Sequence, residues 1–379
     1  MNRWHRILSY LEQGIELLTC RLRLSSRRHF VSLFLLGAVL SATVAACSSG
    51  APPSSTGSSP SPGSSPATAT KPDVELTLVG YAVPKAAHDA IIPKFQEKWK
   101  QEHGQNVTFK QSYGGSGSQT RAIIDGLEAD VVHLAVGSDV QKLVDKGFIS
   151  PDWNKRVPNN GIVGETVAAI ITREGNPKNI KTWTDLTRSD VKWITPNPKT
   201  SGGAKWNFLA LWGYATKKGE DPQAFTTKAY KNVAVLAKDA REATDAFAKQ
   251  GQGDALVNYE NEVILAKEKG EKLAYVVPEI NISIDTPAAV VDKNVDKHGT
   301  REVATAFTEF LFTPEAQQEF IKVGFRPFGE LAKDKALVDK FLPVKSSITI
   351  QDFGGWSTAQ KKFFDDGGVF DQIQTSLKQ

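Results

Sequence analysis

Two stretches constrain the fold of this chain more than any others. Gly164–Thr172 and Ile284–Val291 are long, mostly apolar and rich in β-branched residues, and they start 120 positions apart. Runs of this kind read as strands buried on both faces. At that separation they predict a chain that leaves one domain, builds a second and crosses back. With 379 residues the chain is too long for one core and fits two domains.

The segments around them alternate between strand and helix. Val74–Val79 alternates as a strand, and Pro84–His103 places Ile91, Ile92, Phe95 and Trp99 on one helical face. Asn106–Lys110 is the next strand, followed by a Gly/Ser-rich turn and a helix to Leu127. Asp130–Ala135 reads as a strand and Asp139–Lys146 as a short helix. Lys192–Thr195 and Ala255–Asn258 are further strands, with helices from Ala204, over Asp221–Lys238 and over Arg241–Gln250. After Thr300 the pattern is helical to the end, broken at Gly354-Gly355 before a terminal helix from Trp356. Strand–helix alternation predicts an α/β fold of two doubly wound, mainly parallel domains joined by two crossover strands.

Charge locates an address at the amino terminus. Residues 1–46 carry six Arg against Glu12 and Glu16, while the other 333 residues hold 40 basic and 40 acidic side chains. A body without a basic surplus does not suit nucleic-acid binding. Residues 21–29 include four Arg and precede 17 uncharged residues, Phe30–Ala46, the layout of a secretory signal. Val44-Ala45-Ala46-Cys47 resembles the lipobox of bacterial lipoproteins, which implies that Cys47 is lipidated and becomes the first mature residue. Ser26–Phe30 partly resembles a twin-arginine export motif, so the export route stays open. The other cysteine, Cys20, then leaves with the signal, and no disulfide remains to the mature chain. Ser48–Pro72 has nine Ser and six Pro in 25 residues and reads as a tether reaching roughly 25–30 Å. The expected division is a signal at 1–46, a lipidated Cys47 and linker at 47–72, and domain I at 73–163 plus 284–325. Domain II covers 164–283, and a C-terminal helical segment, 326–379, packs across the body.

Catalytic signatures are missing from the sequence. His88, His103, His133 and His298 form no HExxH or Cys/His cluster, no Gly-x-Ser-x-Gly elbow occurs, and Gly115-Ser116-Gly117 lacks dinucleotide-binding spacing. The four histidines read as ordinary surface or helix residues, and no metal or cofactor is expected. Three turns stand out instead: Tyr113–Gln119, Asn197–Gly203 and Lys238–Arg241, each leading into an expected helix. A helix N-terminus leaves N–H groups unpaired and carries about half a positive charge. Glycine lets backbone approach an oxyanion, and Ser adds a donor. Three such turns converging from two domains would cage a small dianion without a cationic side chain.

At these motifs a resemblance emerges. Asn197-Pro-Lys-Thr-Ser-Gly-Gly-Ala-Lys-Trp-Asn207 resembles the signature of bacterial sulfate-binding proteins, the substrate-binding subunits of ABC importers. Gln111–Gly117, Glu128–Val132, Tyr259–Glu262 and Phe353–Trp356 are similar to the same family, and the likeness runs from about Val74 to Ile373. It implies a type II periplasmic-binding-protein architecture. It also implies a non-enzymatic, monomeric protein that binds sulfate, or thiosulfate, and delivers it to importer permease subunits. Carried over by motif, the binding residues are Ala82, Ser116, Ser201, Gly202, Gly203, Ala240 and Tyr259. Lys205 stands where Arg is more usual, Ala82 where Asp is common, and Tyr259 where the family has Trp. A phenol can accept as well as donate, and a Tyr here is reminiscent of molybdate-binding relatives. Two alternatives stand beside sulfate: thiosulfate, molybdate or another tetrahedral dianion as ligand, and a lipid-anchored hydrolase on a similar frame.

Overall fold

A computed structural model describes residues 72–379. The leader, Cys47 and all but the last residue of the tether lie outside the described residues. The first lobe opens with β1 (Val74–Tyr81), α1 (Lys85–His103), β2 (Val107–Gly114), α2 (Ser116–Ile124), β3 (Val131–His133) and α3 (Gly137–Asp145). Then β4 (Ile162–Arg173) crosses into the second lobe. That lobe holds β5 (Trp193–Pro196), α4 (Gly202–Lys218), α5 (Pro222–Tyr230), β6 (Val233–Ala237), α6 (Ala240–Ala248), β7 (Ala255–Tyr259), α7 (Glu260–Glu268) and β8 (Leu273–Val276). The chain returns through β9 (Ile280–Val290) to α8 (Asp292–His298), α9 (Arg301–Phe310) and α10 (Pro314–Lys322). It ends with the short α11 (Lys335–Val338), β10 (Ser346–Ile348), α12 (Gly355–Ala359) and α13 (Val369–Ser376).

The strand order is β2-β1-β3-β9-β4-β7-β5-β6, with β8 pairing β4 and β10 pairing β9. Within each lobe the neighbours are parallel: β1 with β2 and β3, and β5 with β6 and β7. The crossover strands pair with each other antiparallel, Gly164 opposite Thr286 and Glu165 opposite Asp285. Each also pairs antiparallel with its lobe, β9 with β3 and β4 with β7. The sheet is therefore mixed, with the antiparallel pairs confined to the crossovers. Both expected crossover strands exist and start earlier than their apolar runs, because Ile280-Asn281 and Ile162 are paired as well.

Three segments differ from the pattern reading. The expected helix over Asp221–Lys238 is a helix followed by a strand, since Val233–Ala237 pairs β5. Glu260–Glu268 is a helix and Leu273–Val276 a strand, neither of which periodicity separated. Between α10 and Gly354 the chain is mostly irregular, with only short helical turns and α11, and residues 346–348 add a strand beside β9; helix resumes from Gly355. Gly354 and Gly355 do break it, at φ 77° and 80°. At the three added strands, local propensity yielded to pairing with a neighbouring strand.

The main apolar core is continuous through both lobes, from Leu76, Leu78 and Phe95 to Trp193, Trp206 and Phe208. Trp206, fully buried in α4, donates its Nε1–H to the Ala135 carbonyl at 2.8 Å, so one lobe's helix is pinned to the other lobe's loop.

Candidate functional site

The site grows from the C-terminal ends of the parallel strands, where α/β sheets place ligands. Parallel strands point their C-terminal ends to the same side, so each strand-to-helix turn opens on one cleft. On the first lobe β1 ends at Tyr81-Ala82, and β2 ends at Gly114 before α2 begins at Ser116. On the second lobe β5 leads through Asn197–Ser201 into α4, β6 through Lys238-Asp239 into α6, and β7 ends at Tyr259.

These ends converge. The Ser118 N–H donates to the Thr200 carbonyl at 3.3 Å across the cleft. Gly115 sits so close to the second lobe that a Cβ there would lie 2.5 Å from Thr200 O and 3.0 Å from Lys238 O. This is why the turn before α2 carries glycine. Gly202 approaches Ser116 in the same way, with an added Cβ 3.2 Å from the Ser116 Cβ. Gly203 faces the Tyr259 ring, and an added Cβ would meet the phenol oxygen at 2.8 Å. Tyr259 and Tyr81 rings lie 6.0 Å apart. Five of the seven expected residues, Ser116, Ser201, Gly202, Gly203 and Tyr259, therefore sit together. Ala240 joins through its own turn, as the first residue of α6 behind the Thr200 Oγ–Lys238 O bond of 2.7 Å. Ala82 is placed by its neighbours: Tyr81 packs near Tyr259, and Arg241 Nη2 reaches the Val83 carbonyl at 3.5 Å.

The donors at this point are largely unused. Ser201 occupies the cap position of α4 but makes no side-chain capping bond, so simple capping does not account for it. Among the described residues no acceptor takes the backbone N–H of Ser116, Gly202, Gly203 or Ala240. The Tyr259 hydroxyl is buried without a partner. Burial first, then Tyr81, Glu262 and Asp139, hold its pKa well above the ordinary phenol value, so it stays a neutral hydroxyl. Buried polar groups left unpaired are uncommon and costly, and here several share one place.

Ser116 differs. Its hydroxyl donates to Asp139 Oδ2 at 2.7 Å and accepts from the Ala135 N–H at 3.1 Å. In this arrangement the Ser116 hydroxyl is committed and its backbone N–H is not. Asp139 in turn bonds Lys205 Nζ at 2.9 Å, a buried pair joining α3 of one lobe to the first turn of α4 in the other. Burial would raise the Asp139 carboxyl, but Lys205 and Lys142 beside it hold it below the usual carboxylate range. Sequence reading did not find this pair, since Asp139 and Lys205 lie 66 positions apart.

Arg241, in the third turn, is also matched. Arg241 makes two bonds to the buried Glu262 carboxylate, at 2.7 and 2.9 Å. Asp239, which would spoil the third turn if it pointed inward, instead caps α6 through the Glu242 N–H at 2.9 Å. Glu242 is drawn outward to Lys238 at 3.3 Å. Asp139, Lys205, Arg241, Glu262, Asp239 and Glu242 thus each have a counter-charge or a capping role, and the unpartnered groups at the turns are neutral N–H and O–H. Two histidines read as ordinary surface or helix residues, His88 and His133, are instead fully buried behind the first wall.

Residues 76–326 match the family of bacterial extracellular solute-binding proteins. A sulfate-binding protein of Synechococcus elongatus is 54% identical over 93% of this chain and 98% of its own length. A thiosulfate-binding protein of Pseudomonas aeruginosa is 40% identical over 78% of this chain and 90% of its own. Among solved structures, the sulfate-binding protein SubI of Mycobacterium tuberculosis superposes with a TM-score of 0.69 at 36% identity, covering 77% of this chain and all of that one. Identity at this level across both lobes carries the two-lobed fold and its crossovers together, and the chain belongs to the bacterial extracellular solute-binding proteins, in the family that contains these relatives.

Proposed function

We propose that this chain captures sulfate outside the cytoplasm, in the cleft between its lobes, and presents it to the permease of an ABC importer. The ligand donors are the N–H groups of Ala82, Ser116, Gly202, Gly203 and Ala240 and the hydroxyls of Ser201 and Tyr259. The observation that carries this reading is the cluster of unpartnered donors at the start of α4 and α6, beside an orphaned buried phenol. The two lobes, 73–163 with 284–325 and 164–283, close over the ion by bending at the crossovers, as hinged binding proteins do. The 326–379 segment packs across them. Cys47 anchors the monomer to a membrane through its lipid, and the Ser/Pro tether gives it reach.

Selectivity follows from proton count. Sulfate only accepts hydrogen bonds, whereas HPO4²⁻ carries a hydrogen that needs an acceptor. In a donor-only cleft that hydrogen meets other donors, and each group left unsatisfied costs about 1–3 kcal/mol, roughly one to two orders of magnitude in affinity. The Ser201 and Tyr259 hydroxyls are the two members able to accept as well as donate. Thiosulfate, also acceptor-only, is the second reading, favoured by the thiosulfate-binding relative.

Calorimetry on residues 73–379 with sulfate, thiosulfate, molybdate and phosphate tests the proposal. Tight sulfate binding with weak salt dependence is expected. Phosphate affinity equal to that for sulfate would sink the donor-only account, and preference for thiosulfate or molybdate would reassign the ligand.

A further inference from the structure

Lys199 lies two residues before Ser201 in the turn between β5 and α4, and its ammonium reaches into the carboxy-terminal segment. Its Nζ donates to the Phe364 carbonyl at 3.0 Å and to Asp371 Oδ2 at 2.7 Å, with the Asp365 carbonyl and Asp366 Oδ1 each at 3.4 Å. Phe364 ends the helical turn Gln360–Phe364, and Asp371 lies in the first turn of α13. Carbonyls at a helix end have no partner within the helix, so one ammonium serves the end of one helix and a carboxylate at the start of the next. The Gly367 N–H donates to the same Asp371 oxygen at 2.8 Å and fixes it there. Lys199 and Asp371 are only 30% and 32% exposed, so the pair is partly shielded from water. Phe363, Phe364 and Phe370 of the segment pack on Phe208 of α4, with centroids 5.8, 5.6 and 6.1 Å away, which seats the acceptors on buried core.

The backbone of Lys199 meets the other wall. Its carbonyl accepts from Arg121 Nη1 on α2 at 3.2 Å, next to the Thr200 carbonyl that takes the Ser118 N–H. The Lys199 N–H donates to Asn197 Oδ1 at 2.9 Å, and the Thr200 and Ser201 N–H groups donate to the Asn197 carbonyl at 3.0 and 2.8 Å. The turn is thus wound on Asn197 and tied to the carboxy-terminal segment through Lys199. That segment also holds the first lobe directly. Ser138 Oγ on α3 donates to Gln360 Oε1 at 3.2 Å. Trp356 stands between the lobes: a Cβ at Gly137 would lie 2.9 Å from its Cδ1, and it meets Trp206 edge-on with centroids 4.6 Å apart. One segment therefore joins α3 of one lobe, α4 of the other and the turn that leads into α4.

We propose that Lys199 is a positioning residue: held by Phe364 and Asp371, it ties the Asn197–Ser201 turn to the carboxy-terminal segment and so presets the Ser201 hydroxyl and the Gly202 and Gly203 N–H groups for the anion. The proposal rests on reading that turn as anion-binding, and it adds a residue whose side chain points away from the ligand into the protein. A turn already held in place loses less freedom when the ion binds. Cutting the tie therefore shows in the release of the anion more than in its capture, as most changes at an interface do. The carboxy-terminal segment then takes part in binding as well as covering the body.

Sulfate affinity by calorimetry and sulfate release by stopped-flow tryptophan fluorescence, both on the intact chain, test the tie. Lys199→Met and Asp371→Asn should each release sulfate about three- to fivefold faster with little change in association rate, the scale of a partly screened ion pair. Because both cut the same tie, the double variant should stay within about twofold of Lys199→Met. Asp352→Asn is the control: it removes the bonds from the Thr349 N–H and hydroxyl in the same segment, and should lower stability without moving the release rate. Four results each overturn the proposal: wild-type release in Lys199→Met, additive losses in the double variant, tighter binding in Asp371→Asn, or equally fast release in Asp352→Asn. If the wild type binds no sulfate, the site reading fails and amide hydrogen exchange without ligand decides the tie separately. Faster exchange of the Thr200 and Ser201 N–H groups in Lys199→Met supports it, and unchanged exchange overturns it.

Discussion

The two walls of the cleft begin a helix in the same way and use it differently. On the first wall Ser116 opens α2, and its hydroxyl is committed to Asp139 and Ala135. On the second wall Ser201 caps α4 in position only, and its hydroxyl stays free of a capping bond. One serine is structural in its side chain, while the other's side chain carries no such commitment. Residue type and helix position are shared, so the difference comes from what lies behind each turn. A buried carboxylate stands behind Ser116, and the Tyr259 ring stands beside Gly203.

The strongest way to break this comparison is Ser201→Asp. A carboxylate at the free wall faces the dianion, and like-charge contact costs several kcal/mol. Sulfate affinity should fall more than about a thousandfold by calorimetry while the melting temperature holds. Retained affinity would show that the second turn lies outside the site.

Lys205→Met attacks the committed wall. It strands the buried Asp139 charge, and breaking a buried pair costs about 3–5 kcal/mol. Urea unfolding without sulfate should register that loss, and adding Asp139→Asn should return most of it. A single variant as stable as wild type would show that the pair carries no structural weight.

The alanine pair sharpens the contrast further. Ser201→Ala removes a bond to a charged ligand, worth about 1.5–3 kcal/mol or roughly ten- to a hundredfold in affinity, with stability unchanged. Ser116→Ala instead leaves Asp139 short of a donor and the Ala135 N–H without its acceptor, about 1–3 kcal/mol of stability with or without sulfate. Identical signatures from the two variants would erase the distinction.

The smallest effect belongs to the crossovers that join the walls. Glu165 and Asp285 face each other across β4 and β9, and burial, then the Asp285 charge, raises the Glu165 carboxyl to about 7. A carboxyl raised in the folded state contributes stability that is complete below its unfolded value and lost as pH rises through about 7. Glu165→Gln should therefore stabilise the protein at pH 8, by about 1 kcal/mol once solvent screening of this partly buried pair is allowed for, and hardly at all at pH 4.5.

Much of this was legible in the amino-acid order because it is periodic or local. The runs at 164–172 and 284–291 read as buried strands because they are short, mostly apolar and rich in β-branched residues. The Gly/Ser turns before α2, α4 and α6 announced helix starts with spare N–H groups, and the motif resemblance named the seven residues around them. What stayed hidden depends on partners distant in the chain. Val233–Ala237 is a strand because β5 supplies its hydrogen bonds. His88 and His133, 45 positions apart, looked like ordinary residues because nothing near either in the chain shows that the other will meet it.

The residue order by itself determined which segments turn apolar surface inward and where helices begin with unfilled donors, because periodicity and capping are properties of neighbouring residues. Only the tertiary structure decided which serine spends its hydroxyl on the protein, which cation is neutralised from the other lobe, and which histidines meet in the interior. Those outcomes turn on distances between groups that the chain brings together from opposite sides of the cleft, and hydrogen bonding and desolvation respond to such distances, not to separation along the backbone.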